Sequence, residues 1–244
     1  MIVEVLASAE DVAKYSANII EDTIHCHPGC AIALPTGKTP LLMYKELISR
    51  AEASRAQFEE IHWFALDDFL CPEIPEEATF GHFLKSRFVE PAGLPLGKLH
   101  TLNARTSDPL AEGSSYEASI VGLGGLKLAV LGLGNNGHIA FNEPGTSLQS
   151  RTGPRQLTER SRRANAYLFG DDYDMTPCNA ITMGIATILE ADRILVLVTG
   201  ESKADVLALV RNADSFDPLL PASALALHKD VIVVADIAAA NTGA

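Results

Sequence analysis

The run Lys127-Leu-Ala-Val-Leu131-Gly132-Leu-Gly134-Asn-Asn136-Gly137-His138-Ile-Ala-Phe-Asn-Glu143-Pro144 decides how this chain is read. An apolar segment of strand length, Lys127 to Leu131, breaks into a loop of glycines and amides, as a buried parallel strand does when it ends at a ligand site. Gly132, Gly134 and Gly137 have the spacing of a dinucleotide fingerprint. That fingerprint needs its third glycine to open a helix facing a pyrophosphate, and an acid about 20 positions further on at the end of a second strand. Here His138 follows Gly137, Pro144 interrupts, and no apolar strand ends in an acid near position 157. The nucleotide reading fails, and the question becomes why His138 and Glu143 share one loop.

Outward from this strand, short apolar runs alternate with amphipathic stretches, the pattern of an α/β protein. Ser8 caps a helix carrying Val12, Ile19, Ile20 and Ile24, and Cys30 to Leu34 reads as a buried strand. Thr39-Pro40 caps and starts a helix to about Ala53, and Ile61 to Leu66 is a strand that stops at Asp67-Asp68. Residues 79 to 89 read as one helix with Phe80, Phe83, Leu84 and Phe88 on a core face, and Asp108-Pro109 opens a helix to about Val121. Thr176-Pro177 starts a helix to Leu189, followed by strand Ile194 to Val198, helix Ser202 to Arg211 and strand Val231 to Ala235. No linker or repeat divides the chain, so residues 1–244 are expected to form one Rossmann-like domain, a mostly parallel sheet with helices on both faces. Segment 145–175, rich in Ser, Thr, Arg and Gly, is the least regular, as expected of a binding loop or lid.

Composition narrows the partners. The formal net charge of −12 over 244 residues disfavours nucleic acid and anionic membranes, which need clustered Lys and Arg. One basic cluster, Arg151, Arg155, Arg160, Arg162 and Arg163, is either a solvated loop or the border of an anionic ligand site. Cys26, Cys30, Cys71 and Cys178 form no CxxC pair. His25-Cys26-His27-Pro28-Gly29-Cys30 resembles a metal run, but Pro28 and Gly29 read better as a helix end, so no metal is expected. No basic region precedes an apolar segment at the N-terminus, which gives a cytoplasmic expectation.

In open α/β sheets ligands sit outside the carboxyl ends of the strands, and four strand ends here carry chemistry. Pro35-Thr36-Gly37-Lys38-Thr39-Pro40 combines small residues, hydroxyls and a cation, a cradle suited to phosphate. Asp67 and Asp68 are adjacent carboxylates; neighbours diverge in extended chain, so one of the two is expected to face the site as a base. The third end holds Asn136, His138 and Glu143, where a carboxylate could fix the tautomer of a proton-moving histidine. The fourth, Thr199-Gly200-Glu201-Ser202-Lys203, puts a lysine in the first turn of a helix, where a cation is disfavoured unless an anion is held there too.

Together these residues resemble the glucosamine-6-phosphate deaminase family, related to 6-phosphogluconolactonases. The resemblance rests on Gly134 to Pro144, Leu66-Asp67-Asp68-Phe69, Pro35 to Pro40, Ser150-Arg151-Thr152 and Leu157-Thr158 with Ala164-Asn165, and covers nearly the whole chain. It implies isomerisation of glucosamine 6-phosphate with loss of ammonia, without metal or other cofactor. In that scheme Asp67 moves the C2 proton, His138 with Glu143 opens the sugar ring, and Asn136 orients a hydroxyl or the loop. Thr36, Gly37, Lys38, Thr39 and Lys203 then hold the phosphate. The chain departs from the family pattern at Asn136, often aspartate; at Lys38, usually a small residue; at Asp68-Phe69, usually Glu-Tyr; and at Tyr167, where many relatives carry a phosphate-binding arginine. Gly153 and Pro154 replace the basic residues of allosteric members, so regulation by N-acetylglucosamine 6-phosphate is not expected. The alternatives are a galactosamine 6-phosphate or 6-phosphogluconolactone enzyme and a non-catalytic sugar-phosphate sensor. The sequence leaves monomer and homo-oligomer equally open.

Overall fold

The computed structural model describes residues 1–241. Ten strands are Ile2–Leu6 (β1), Ala31–Leu34 (β2), His62–Ala65 (β3), Asp67–Phe69 (β4), Leu99–His100 (β5), Leu126–Gly132 (β6), Gly153–Gln156 (β7), Asn179–Thr182 (β8), Arg193–Val198 (β9) and Val231–Asp236 (β10). The helices are Ala9–Cys26 (α1), Leu41–Ala53 (α2), Arg55–Glu60 (α3), Phe80–Leu84 (α4), Pro109–Gly122 (α5), Glu159–Asn165 (α6), Ile185–Leu189 (α7), Ala204–Arg211 (α8) and Ile237–Ala240 (α9).

Seven strands form one parallel sheet in the order β1-β10-β9-β6-β2-β3-β5. Side chains alternate across it with the period of two that extended chain imposes. Ala129, Leu131, Ile194, Val196 and Val198 pack on one face with Ile120 of α5, Ile188 of α7 and Leu207 of α8. Leu128, Val130, Leu195 and Leu197 pack on the other with Ile20 of α1, Leu47 of α2 and Phe58 of α3. Both faces are covered, which is why these strands read as unbroken apolar runs. The order reverses between β2 and β6, and that switch point is where an open α/β sheet leaves a crevice at its carboxyl ends.

Five sequence expectations are corrected. Thr176 to Leu189 is not one helix: β8 runs over Asn179–Thr182, and only Ile185–Leu189 is helical. Ala180, Ile181 and Thr182 are fully buried in a second sheet, ordered β4-β8-β7 and antiparallel, and this pairing overrides local propensity. Asp67 and Asp68 do not merely end a strand but begin β4, the edge of that second sheet. The helix expected over 79–89 is a short α-helix followed by a π-turn at Lys85–Val89. Its apolar residues therefore split, Phe80 joining Phe69 and Phe141 in a small cluster while Leu84 and Phe88 enter the main core. Thr39 does not cap α2, whose N-cap is Pro40 with no side-chain cap bond. Segment 145–175 is more regular than expected, containing β7 and α6. Ser8 and Asp108 cap α1 and α5 as read, and α1 ends just before Pro28-Gly29.

Candidate active site

The four strand ends singled out in the sequence belong to β9, β6, β2 and β3, four consecutive strands spanning the switch point. After β6 the chain turns sharply. Gly137 has φ +82°, and its N–H donates to Gly134 O at 2.9 Å, while Gly134 N–H donates to His138 O at 2.9 Å. A Cβ on Gly134 would lie 2.2 Å from His138 Cδ2, so glycine is required there because the imidazole packs directly on the backbone. Asn142 locks the far side of the loop, donating to Ile139 O and Met183 O.

This turn brings Asn136, His138 and Glu143 together. Asn136 Nδ2 donates to Glu143 Oε2 at 2.7 Å, and Asn136 Oδ1 accepts from His138 N–H at 3.2 Å. His138 Nδ1 stands 3.6 Å from Glu143 Oε2 and 3.4 Å from Ser161 Oγ. Thr158 adds its hydroxyl to Glu143 Oε1 at 3.3 Å. Glu143 is 5 % exposed; burial pushes its carboxyl up, but His138, Ser161 and Asn136 outweigh that and hold it down at about 2. Glu143 is thus a fixed anion beside one imidazole nitrogen, leaving Nε2 for a ligand. Thr158 and Ser161 open α6 and were missed in the sequence as site residues. Their signal was the hydroxyl spacing, Thr158 capping Ser161 N–H.

The two aspartates separate as extended chain dictates. Asp68 accepts from the N–H groups of Phe69, Phe80 and Gly81 at 2.8, 3.0 and 3.1 Å, so it anchors the start of α4. Burial raises its pKa to about 6 against the pull of those donors. Asp67 is 6 % exposed, and its carboxylate makes no hydrogen bond among the described residues. Burial, and then the charge of Asp68, push its pKa well above the usual range. A carboxyl so placed is a stronger base than an exposed one once ionised.

After β2, Gly37 has φ +98°, a left-handed conformation that shapes the turn. Thr36 and Thr39 hydroxyls are unbonded among the described residues, and Lys38 Nζ lies over the Tyr167 ring at 5.1 Å, without a carboxylate partner. After β9, Lys203 reaches across to donate to Leu133 O at 2.6 Å, at the mouth of the His138 loop. Burial, and then the charge of Arg160, lower its pKa to about 8. A cavity of about 600 Å³ borders Glu143 along the 144–156 segment; its arginines are committed, Arg151 to Glu117 and Glu190, Arg155 to main-chain oxygens. Cys26, Cys30, Cys71 and Cys178 are all unpaired, and no group of three His, Cys, Asp or Glu among the described residues could hold a metal ion.

The family described as glucosamine-6-phosphate isomerases/6-phosphogluconolactonase matches residues 5–234. The chain belongs to this family. Its relatives include a glucosamine-6-phosphate deaminase of Shewanella loihica, 38 % identical over 99 % of this chain and 89 % of the relative. Another, of Bacillus pumilus and bearing the same name, is 37 % identical over 93 % of both chains. A solved structure described as a monomeric glucosamine-6-phosphate deaminase, missing link of the NagB superfamily, superposes with a TM-score of 0.92 at 36 % identity, covering 98 % of this chain and 99 % of the other. A 6-phosphogluconolactonase from Trypanosoma brucei superposes at TM-score 0.77 and 19 % identity over 100 % and 98 %, which shows a shared fold.

Proposed function

We infer that this chain is a glucosamine-6-phosphate deaminase, converting glucosamine 6-phosphate and water to fructose 6-phosphate and ammonium. The observation that carries the reading is the pairing of a buried, hydrogen-bonded Glu143 with His138 in the loop after β6, while the carboxylate of the buried Asp67 beyond β3 has no hydrogen bond among the described residues. Full-length relatives of that name support it.

We assign His138 to ring opening: Nε2 takes the proton of the anomeric hydroxyl and returns one to the ring oxygen. Glu143, held by Asn136 and Thr158, keeps the imidazole oriented and stabilises its charged form. Asp67 then takes the proton from C2 and delivers it to C1, passing through an enolamine, while the substrate ammonium gives up one proton and the aldehyde oxygen at C1 takes one to become a hydroxyl. The resulting iminium at C2 adds water, and the C–N bond breaks to release ammonium and leave the ketone. Thr36, Gly37, Lys38, Thr39 and Lys203 hold the phosphate, so that binding energy remote from C2 positions the reacting carbons. Asn136 acts as a donor to Glu143 and takes no proton itself. A phosphorylated sugar is a dianion that does not cross membranes unaided, which favours a cytoplasmic address for the enzyme; among the described residues no helix is long and apolar enough to cross a membrane. The monomeric structural neighbour favours a monomer.

Ammonium release from glucosamine 6-phosphate tests the reading, with Asp67→Asn and His138→Gln each expected to lower kcat by roughly 10²- to 10⁴-fold. Full activity in Asp67→Asn overturns the assigned mechanism. Rapid hydrolysis of 6-phosphogluconolactone with no ammonium from the amino sugar overturns the substrate.

A further inference from the structure

The basic cluster between residues 151 and 163 resolves into four committed arginines and one that is not. Arg151 pairs with Glu117 and Glu190, and Arg155 donates to the main-chain oxygens of Pro154 and Arg151. Arg162 donates to Thr176 O and Tyr173 and stacks on the Tyr173 ring, and Arg163 pairs with Glu159. Arg160 is exposed and makes no hydrogen bond or ion pair among the described residues. It sits on α6 between Thr158 and Ser161, which touch Glu143 and His138, so its backbone borders the proposed active site. Further along the same segment, Tyr167 lies under Lys38 of the hydroxyl-rich turn. Arg160 is also near enough to Lys203 for its charge to act on that ammonium. Lys203 in turn has no carboxylate partner among the described residues and is tied to the His138 loop through Leu133 O.

Carboxylates outnumber cations in this chain, 31 to 19, yet among the described residues Arg160, Lys203 and Lys38 have no carboxylate partner, and each lies on or beside a segment that borders the strand-end crevice. Like charges brought together at a strand-end crevice repel unless an anion lies between them. We propose that Arg160 binds the substrate phosphate from α6, its guanidinium and the Lys203 ammonium gripping the phosphate oxygens from the side opposite the Thr36–Thr39 turn. A guanidinium offers two parallel N–H donors to a phosphate, which fixes orientation as well as charge. Arg160 grips the phosphate equally in ground and transition states, so it sets substrate affinity and specificity for phosphorylated over free sugar.

The inference rests on the phosphosugar reading above, and the test separates the two. Calorimetric titration with inorganic phosphate and with glucose 6-phosphate is run on the full chain and on Arg160→Gln, Arg160→Lys and Arg163→Gln. Loss of one charge-assisted contact predicts roughly 10- to 100-fold weaker binding of both ligands in Arg160→Gln. Arg160→Lys recovers only part of that loss, because an ammonium restores the charge without the paired donors, and Arg163→Gln binds as the parent does. In turnover, Arg160→Gln raises KM for glucosamine 6-phosphate by a similar factor while kcat changes less than about threefold, the mark of uniform binding. Unaltered phosphate and hexose phosphate affinity in Arg160→Gln overturns the proposal, as does a parent protein indifferent to both ligands. Phosphate binding that depends on Arg160, in a protein that releases no ammonium, supports the proposal while refuting the activity. Arg160 is exposed and makes no side-chain bond among the described residues, so both Arg160 substitutions leave the fold intact; melting curves that coincide with the parent's verify this.

Discussion

Raising the pH through 8 should discharge Lys203 and loosen the grip on a sugar phosphate. Burial, and then Arg160, place the ammonium's pKa at about 8 in the free protein. The apparent dissociation constant scales as the inverse of the charged fraction. With that pKa the fraction falls from about nine-tenths at pH 7 to about one-tenth at pH 9, so binding weakens about tenfold across the window. The sign follows from the species that binds: the charged lysine meets the phosphate, so affinity is present below pH 8 and lost above it. The substrate is a poor probe, because an amine beside electron-withdrawing oxygens titrates, like an α-amino group, at about 8. A hexitol 6-phosphate has no amine, and its phosphate, with a second pKa of about 6, is a dianion throughout. Calorimetric dissociation constants from pH 7 to 9.5 should rise in the parent and stay flat in Lys203→Arg, whose guanidinium holds its proton. A flat parent profile, or the same rise in Lys203→Arg, refutes the placement of Lys203 on the phosphate.

Asn136→Asp replaces a donor 2.7 Å from Glu143 Oε2 with a second carboxylate, so the pair must share a proton. Urea denaturation should show a loss of about 1–3 kcal/mol at pH 7.5 that shrinks at pH 5, where the shared proton is retained. Gly134→Ala drives a methyl to within 2.2 Å of the His138 ring and should displace the imidazole. A shift of that kind predicts roughly a hundredfold loss of kcat/KM with the circular dichroism spectrum kept. Asp67→Asn should lower kcat sharply yet raise Tm at pH 8. The folded-state pKa of Asp67 lies above its unfolded value, so the parent loses stability as pH rises through that interval, and asparagine does not. Melting curves at pH 4 and pH 8 check it: the advantage should be large at pH 8 and vanish at pH 4.

The alternation of apolar strands and amphipathic helices was legible because two-residue and 3.6-residue periods follow from backbone geometry alone. It placed β2, β6, β9 and β10 and the long helices to within a few residues, and the glycine-rich strand ends pointed to the crevice. The second sheet was invisible. Asn179–Thr182 has no partner nearby in sequence, and it becomes a strand only because β4 and β7, both far along the chain, close on either side of it. The same long-range pairing turned Asp67 and Asp68 from a strand end into an edge strand.

The site divides in the same way. Sequence alone fixed the chemistry present: a histidine, a glutamate and an amide in one short loop, two adjacent aspartates, and a hydroxyl-rich turn with a lysine. Those residues lie within a few positions of one another, and local spacing suffices to group them. Only the tertiary structure decided which aspartate is available, because Asp68 is consumed by the amides of Phe80 and Gly81, twelve and thirteen positions away. Only the tertiary structure separated Arg160 from Arg151 and Arg162, whose partners Glu117, Glu190, Thr176 and Tyr173 lie further away along the chain, while Arg155 and Arg163 are held by groups within four residues of themselves. A side chain's type is written in the chain, but whether it is free to act depends on which groups the fold has already given it.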